Sequence, residues 1–122
     1  MTKERIELGR LGEDLARERL KDLGYRILKT NYRCTLGEID LVARDGDVLV
    51  FVEIKTRKNE PLGQVKEAVT KRKQTQLSKV ALAYMKSNNL WESKARFDVV
   101  AVGLIYGRRE IEVIKDAFEL AY

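Results

Sequence analysis

Gly37-Glu38-Ile39-Asp40-Leu41-Val42-Ala43-Arg44-Asp45-Gly46-Asp47-Val48-Leu49-Val50-Phe51-Val52-Glu53-Ile54-Lys55 is the stretch that decides the fold. Two apolar, β-branched runs flank Asp45-Gly46-Asp47. An Asp-Gly pair between such runs is the strongest short-range signal of a β-hairpin. The charges fall in unexpected places. Glu38, Asp40, Glu53 and Lys55 lie inside strands whose other residues read as core.

Side chains alternate faces along a strand, so Glu53 and Lys55 share a face with Leu49 and Phe51. Val48, Val50, Val52 and Ile54 line the other face. By the same rule Glu38 and Asp40 share a face with Val42. The turn decides whether the acidic groups meet. With Asp45-Gly46 as a two-residue loop, Glu38 stands opposite Glu53 and Asp40 is diagonal to it. With Gly46-Asp47 as the loop, Asp40 stands directly opposite Glu53. Either register gathers three carboxylates and an ammonium on one face, and a three-residue loop without a bulge would split them. Cross-strand neighbours are roughly 5 Å apart and diagonals roughly 7–8 Å, within reach of one metal ion.

Carboxylates this close repel, and burying them is costly unless something neutralises them. Lys55 offsets one of up to three negative charges. The remainder calls for a divalent cation, and an all-oxygen set suits Mg²⁺ or Mn²⁺. The plain alternative is a solvated hairpin face carrying ordinary ion pairs.

Asp40, twelve intervening residues and Glu53-Ile54-Lys55 together resemble the PD-(D/E)xK nuclease signature. Asp-x(n)-Glu-x-Lys alone is a loose pattern. It is sharpened because the acidic pairs end apolar strands. It is sharpened again because Gly37-Glu38-Ile39-Asp40-Leu41-Val42 and Phe51-Val52-Glu53-Ile54-Lys55-Thr56-Arg57 closely resemble the YraN family. That bacterial family has no settled function and is similar in pattern to archaeal Holliday-junction resolvases. The resemblance covers residues 9–102. It implies a restriction-endonuclease-like α/β domain, a mixed central sheet flanked by helices. It also implies hydrolysis of phosphodiester bonds in DNA, including branched or recombination and repair intermediates. Asp40, Glu53 and Lys55 would be catalytic; Asp40 and Glu53 would hold Mg²⁺, with Glu38 or Glu13 as an outer ligand. Two other readings stay open: a catalytically silent nucleic-acid-binding module with the same fold, and a structural adaptor.

At 122 residues the chain is long enough for one domain with a real core, and it shows no repeat or linker. The only proline is Pro61. No apolar run approaches the ~18–20 residues of a membrane span, and the charged start is no signal peptide, so the expectation is a soluble cytoplasmic protein. Cys34 is alone, which excludes an internal disulfide. There is no histidine. That removes Ser-His-Asp and Cys-His catalysis and zinc sites of Cys/His type. A hydrolase of this composition has to work with carboxylates, lysine and a hard metal. Lys and Arg number 24 against 19 Asp and Glu, a net charge of +5, which suits a nucleic-acid partner.

Residues 3–23 read as an amphipathic helix with a stripe of Leu8, Leu11, Leu15, Leu20 and Leu23, widened by Ala16 and ended by Gly24. Gly9 and Gly12 would allow close approach to a backbone or a phosphate. Glu13 is spaced to pair with Arg17 one turn on. The resemblance implies more, since Gly9-Arg10-Leu11-Gly12-Glu13 matches the family's first-helix motif, whose Glu reaches the metal site. Residues 25–32 alternate as a strand, with Ile27 inward and Asn31, Arg33 and Thr35 in a polar passage. Tyr32 and Arg33 are placed to hold a base and a phosphate, or else are a surface aromatic and a solvated charge.

Residues 56–63 read as a loop, with Arg57 and Lys58 as phosphate contacts, and 64–69 as a helical turn. Thr70 is the expected N-cap of a helix over 71–87, with Leu77, Val80, Ala81, Tyr84 and Met85 inward. Lys71, Arg72 and Lys73 crowd its first turn, where cations are disfavoured unless an anion binds. The family resemblance points to Lys73 and Gln74 as residues near the metal. Trp91 reads as a core cap. Residues 95–102 form a strand whose Asp98 is expected to make a structural ion pair, with Arg96 or Lys55. A hairpin over 104–114 turns about Gly107-Arg108, and 115–122 adds a helical turn. The expected order is α-β-β-β-α-β plus a C-terminal hairpin. A junction-resolving role would favour a homodimer, since two cuts need two sites, and only the edges of 104–114 offer a dimerisation element.

Overall fold

The computed structural model describes residues 2–60, 62 and 69–120. Its elements are α1 (Lys3–Asp22), β1 (Arg26–Cys34), β2 (Gly37–Asp45), β3 (Val48–Lys58), α2 (Lys71–Ser87), β4 (Ala95–Ile105) and β5 (Arg108–Phe118). The strands form one sheet in the order β1-β2-β3-β4-β5. β3 and β4 are parallel and the other neighbours are antiparallel. The parallel pair needs a long crossover, which α2 lies within. The result is an α/β domain with a mixed sheet and one helix on each face.

The two faces carry separate cores. α1 covers Leu41, Ala43, Val50, Val52, Val100 and Val102 with Ala16 and Leu20. α2 covers Val42, Leu49, Phe51, Phe97, Val99 and Ala101 with Leu77, Val80, Ala81, Tyr84 and Met85. The alternation read along residues 48–54 is the alternation observed. The α2 stripe is also as expected.

Both helices are capped by their own sequence. The Thr2 hydroxyl accepts the Arg5 N–H at 3.2 Å, and the Thr70 hydroxyl accepts the Lys73 N–H at 3.2 Å. At the end of α1, Gly24 takes φ +94°, and Tyr25 donates its N–H to the Leu20 carbonyl at 2.9 Å. The buried line of α1 runs through Gly12, Ala16 and Leu20. Leu23 lies outside this line and is exposed, because the helix has ended and the chain is already turning at Gly24.

Other boundaries differ from the sequence reading. β1 continues to Cys34, because residues 33 and 34 pair with 38 and 37. β3 continues to Lys58, because β4 offers a parallel partner as far as Leu104. Arg57 and Lys58 are therefore on a strand and not in a loop. β4 runs unbroken to Ile105, so the last hairpin is β4 with β5, turning at Tyr106-Gly107. The tail is strand to Phe118, not helix; Phe118 stacks on Phe97 with centroids 4.6 Å apart. Trp91 is no core cap: it is 59% exposed. The helical turn expected at 64–69 lies outside the described residues except for Val69, which is buried.

Candidate functional site

The turn of the first hairpin fixes which carboxylates meet. Asp45 pairs with Val48, so the loop is Gly46-Asp47, with Gly46 at φ +62°. The pairing of β2 with β3 runs from there to Leu41 and Val52. Asp40 and Glu53 stand one step beyond, where the strands part. β2 stays with β1 past this point, through Tyr32↔Ile39 and Arg33↔Glu38. Opposite Asp40, Asn31 takes a left-handed φ of 51°.

This parting corrects the simple alternation for 38–42. Ile39 and Val42 both enter the α2-side core, while Leu41 enters the α1-side core. The face switches at Asp40. Glu38, next to Ile39, therefore turns to the α1 side, away from Val42. Asp40 is left between the two faces at the opened end of the sheet.

Asp40 is held there by the chain it has left. Its carboxylate accepts the Ile54 N–H at 2.8 Å. Burial pushes the Asp40 carboxyl up to about 7, helped by a hydrogen bond and charge repulsion from Glu53; the Ile54 N–H and Lys55 oppose this. Glu53 is buried, and its Oε2 has no hydrogen-bond partner among the described residues. The nearest cation is Lys73 Nζ at 3.9 Å, an ion pair too long for a hydrogen bond. α2 thus supplies one of the cations named from the sequence.

α1 supplies the third carboxylate from the other face. A Cβ on Gly12 would lie 2.0 Å from Thr56 Oγ1, so helix and strand touch at this glycine. The next residue, Glu13, is raised by burial and then by the charges of Asp40 and Glu38. An Asn31 hydrogen bond and the charge of Arg17 oppose that rise. The expected Glu13–Arg17 pair is not formed; Arg17 pairs with Asp14, which lies beside it on the outer face. Asn31 is a site residue that the sequence reading left in a polar passage. Its only signal was an amide residue inside an otherwise regular strand.

The remaining basic positions are distributed around this centre. Arg33 Nε lies 3.4 Å from Glu38 Oε1 across the β1–β2 pair. Arg57 pairs with Glu60 at 3.5 Å, and Lys58 with Glu4 at 2.9 Å. With Arg5, Gly9 and Thr56 they line an open cleft of about 650 Å³ between the start of α1 and the end of β3. Lys71 and Arg72 are exposed on the first turn of α2, which carries no acidic residue. Gln74 is turned away, donating its amide to the Val69 carbonyl at 2.9 Å. Tyr32 is not free to stack on a base; it packs edge-on against Tyr84 with centroids 5.1 Å apart.

Asp98 is fully buried away from these groups. It accepts from Tyr25 Oη at 2.6 Å, from Arg96 Nε at 2.9 Å and from the Asp116 N–H at 2.9 Å. Of the two partners considered for it, Arg96 is the one it has.

Among the described residues, no three His, Cys, Asp or Glu side chains converge closely enough to hold a metal by themselves. The three-carboxylate cluster expected on one face is therefore a close pair, Asp40 and Glu53, with Glu13 and Glu38 behind it. The pair nonetheless fits a hard cation. Mg²⁺ keeps several waters and is usually held by one or two carboxylates plus substrate phosphate. A buried carboxylate oxygen without a partner is the kind of ligand such an ion completes.

The profile of the uncharacterised protein family UPF0102 matches residues 12–102. The chain belongs to this family. A UPF0102 relative from Syntrophus aciditrophicus is 51% identical over 117 residues, covering 96% of this chain and 92% of its own length. Another, from Moorella thermoacetica, is 47% identical over 120 residues, covering 97% and 100%. The UPF0102 span opens at the Gly12 contact and closes in β4, so it contains every carboxylate of the site together with Lys55 and Lys73. Among solved structures, the chain is similar to Pyrococcus furiosus SfsA in complex with Ca²⁺, with a TM-score of 0.39 and 15% identity, covering 92% of this chain and 63% of that one. No helix among the described residues is long and apolar enough to cross a membrane.

Proposed function

We propose that this protein hydrolyses phosphodiester bonds of nucleic acid, DNA before RNA, with Mg²⁺ or Mn²⁺. The observation that carries the reading is the Asp40–Glu53 pair at the parted end of β2 and β3, with Glu53 Oε2 buried without a hydrogen bond and Lys55 alongside. Asp40 and Glu53 would hold the cation, with Glu13 or Glu38 reaching it through water. Its chemistry there would be to polarise a phosphate oxygen and acidify a water.

The protein's own groups account for the rest. The Ile54 N–H fixes the Asp40 carboxylate, so the pair keeps its geometry as charge builds up. Lys55 orients the attacking water and stabilises charge developing on the phosphate. Lys73 balances Glu53 from the α2 side. The exposed Lys71 and Arg72 would track phosphates, and so would Arg33, Arg57 and Lys58 on exchanging their surface ion pairs with Glu38, Glu60 and Glu4, in keeping with the net charge of +5. A branched substrate would call for two copies of the chain, one for each cut.

The test is a cleavage screen of branched, flapped and single-stranded DNA and RNA with Mg²⁺ and with Mn²⁺. Cleavage by the wild type that is lost in Asp40→Ala supports the reading. An Asp40→Ala protein that cleaves as fast as wild type removes its basis. Metal-independent binding without any cleavage would leave the catalytically silent binding module.

A further inference from the structure

Tyr106 occupies the turn between β4 and β5 and is 84% exposed. Its backbone is left-handed at φ +46°, and Gly107 follows at φ +82°. Two consecutive left-handed residues make the tight hairpin turn that is usually filled by Asn-Gly, Asp-Gly or Gly-Gly. A bulky aromatic residue is an outlier there. Burial does not offset its strain, because the ring is in solvent.

The turn is nevertheless held in place. The Asn59 side chain accepts the Tyr106 N–H at 2.9 Å. Asn59, itself at φ +55°, donates its own N–H to the Leu104 carbonyl at 2.9 Å. The strained backbone that presents the ring is thus tied to the residue that follows Arg57 and Lys58 at the end of β3. Arg108 and Arg109, both exposed, follow it on β5. Leu104 joins the two sides, pairing with Lys58 and with Arg109. The open cleft that begins at the same end of β3 is lined by Arg5, Thr56, Arg57 and Lys58 and also by Glu4 and Glu60, whose exposed ion pairs with Lys58 and Arg57 are weak enough for a phosphate to replace. A strand rises about 3.3 Å per residue, so this end lies roughly 20 Å along β3 from Glu53.

An exposed ring set among cations is how proteins hold single-stranded nucleic acid. The cations track the phosphates, and unpaired bases stack on the ring with little sequence preference. Strain kept at a solvent-exposed position is a pointer to use. We infer that Tyr106 is a stacking platform for an unpaired base of a nucleic acid whose phosphates lie on Arg57 and Lys58. The substrate class is then nucleic acid with a single-stranded arm reaching the far end of β3, roughly 20 Å from the carboxylate pair. This rests on the nucleic-acid reading above and goes beyond it in naming the form of the substrate.

The experiment is fluorescence anisotropy of the full chain with a labelled single-stranded DNA of about 20 nucleotides and with the matching blunt duplex. It is run in EDTA and again in Ca²⁺. Tyr106→Asn suits the left-handed turn and removes the ring, while Tyr106→Phe keeps the ring. Stacking predicts that Tyr106→Asn weakens single-strand binding about 5- to 100-fold and leaves duplex binding unchanged. Tyr106→Phe should stay within about twofold of wild type. Wild-type binding with an indifferent Tyr106→Asn, or with equal losses on single strand and duplex, overturns the stacking role alone. A wild type that binds neither probe in either condition overturns the nucleic-acid reading as well.

Discussion

The Asp40 carboxylate accepts the N–H of Ile54, the residue between Glu53 and Lys55, at 2.8 Å. A side chain thus replaces a ladder partner where β2 and β3 separate, and Asp40 and Glu53 are locked together. The consequence is a dependence on pH. Asp40 is raised to about 7 from an ordinary value near 4. The folded state therefore holds a proton that the unfolded chain has released. That stability is fully present below about pH 4 and is lost as pH rises through about 7. The melting temperature of the metal-free protein should fall across this window, and Asp40→Asn should flatten the fall. A melting temperature that rises from pH 5 to 7 in wild type but not in Asp40→Asn would contradict it.

The contact of Gly12 with Thr56 sets the height of α1 over β3. Gly12→Ala would put a methyl 2.0 Å from Thr56 Oγ1 and 3.0 and 3.1 Å from its Cγ2 and Cβ, so turning the Thr56 side chain does not relieve the contact. Overpacking of this kind costs about 1–3 kcal/mol. Thr56→Ala in the same chain should recover most of that loss, giving a coupling that a double-mutant cycle in urea measures. Additive effects would mean that the helix does not rest on this pair.

Asp98 provides the contrasting case. Asp98→Ala leaves Arg96 with Asp45 as its carboxylate partner at 2.6 Å but takes the acceptor from the Tyr25 hydroxyl, Arg96 Nε and the Asp116 N–H, and a buried donor left unsatisfied costs about 1–3 kcal/mol. Its partners are Tyr25, Arg96 and Asp116, none of which belongs to the carboxylate site. Denaturant unfolding should show the loss, while Mn²⁺ affinity of the remaining folded protein should be unchanged.

Lys55 should separate binding from chemistry. Removing one group that stabilises developing charge costs about 10²–10³ in rate. Lys55→Met should lose cleavage on that scale and hold or improve Mn²⁺ affinity, since a cation acting on Asp40 has gone. Single-turnover cleavage and metal titration on the same preparation distinguish the two effects. A parallel loss of metal binding would make Lys55 structural.

The core of the site was legible because it is local. Asp40, Glu53 and Lys55 lie on one hairpin, and alternation along 48–54 carried over unchanged. What the sequence did not disclose came from partners distant in the chain. β3 extends to Lys58 because β4 continues beside it, and β5 reaches Phe118 because Phe97 is there to stack on. The face switch at Asp40 depends on β1, where Asn31 is left-handed. Strict alternation, read from one strand, cannot register it. The turn residues allowed two registers, and the pairing of Asp45 with Val48 selected the one that sets Asp40 across from Glu53.

If Asp40 and Glu53 form one metal site, binding needs both carboxylates. Isothermal titration of Mn²⁺ and Mg²⁺ into wild type, Glu53→Gln and Asp40→Asn tests it most directly, repeated with a non-cleavable oligonucleotide present to supply the phosphate ligand. Saturable binding to wild type that is lost in both variants is the predicted result. Wild-type binding that survives both substitutions, or no binding even with the oligonucleotide, would contradict the claim.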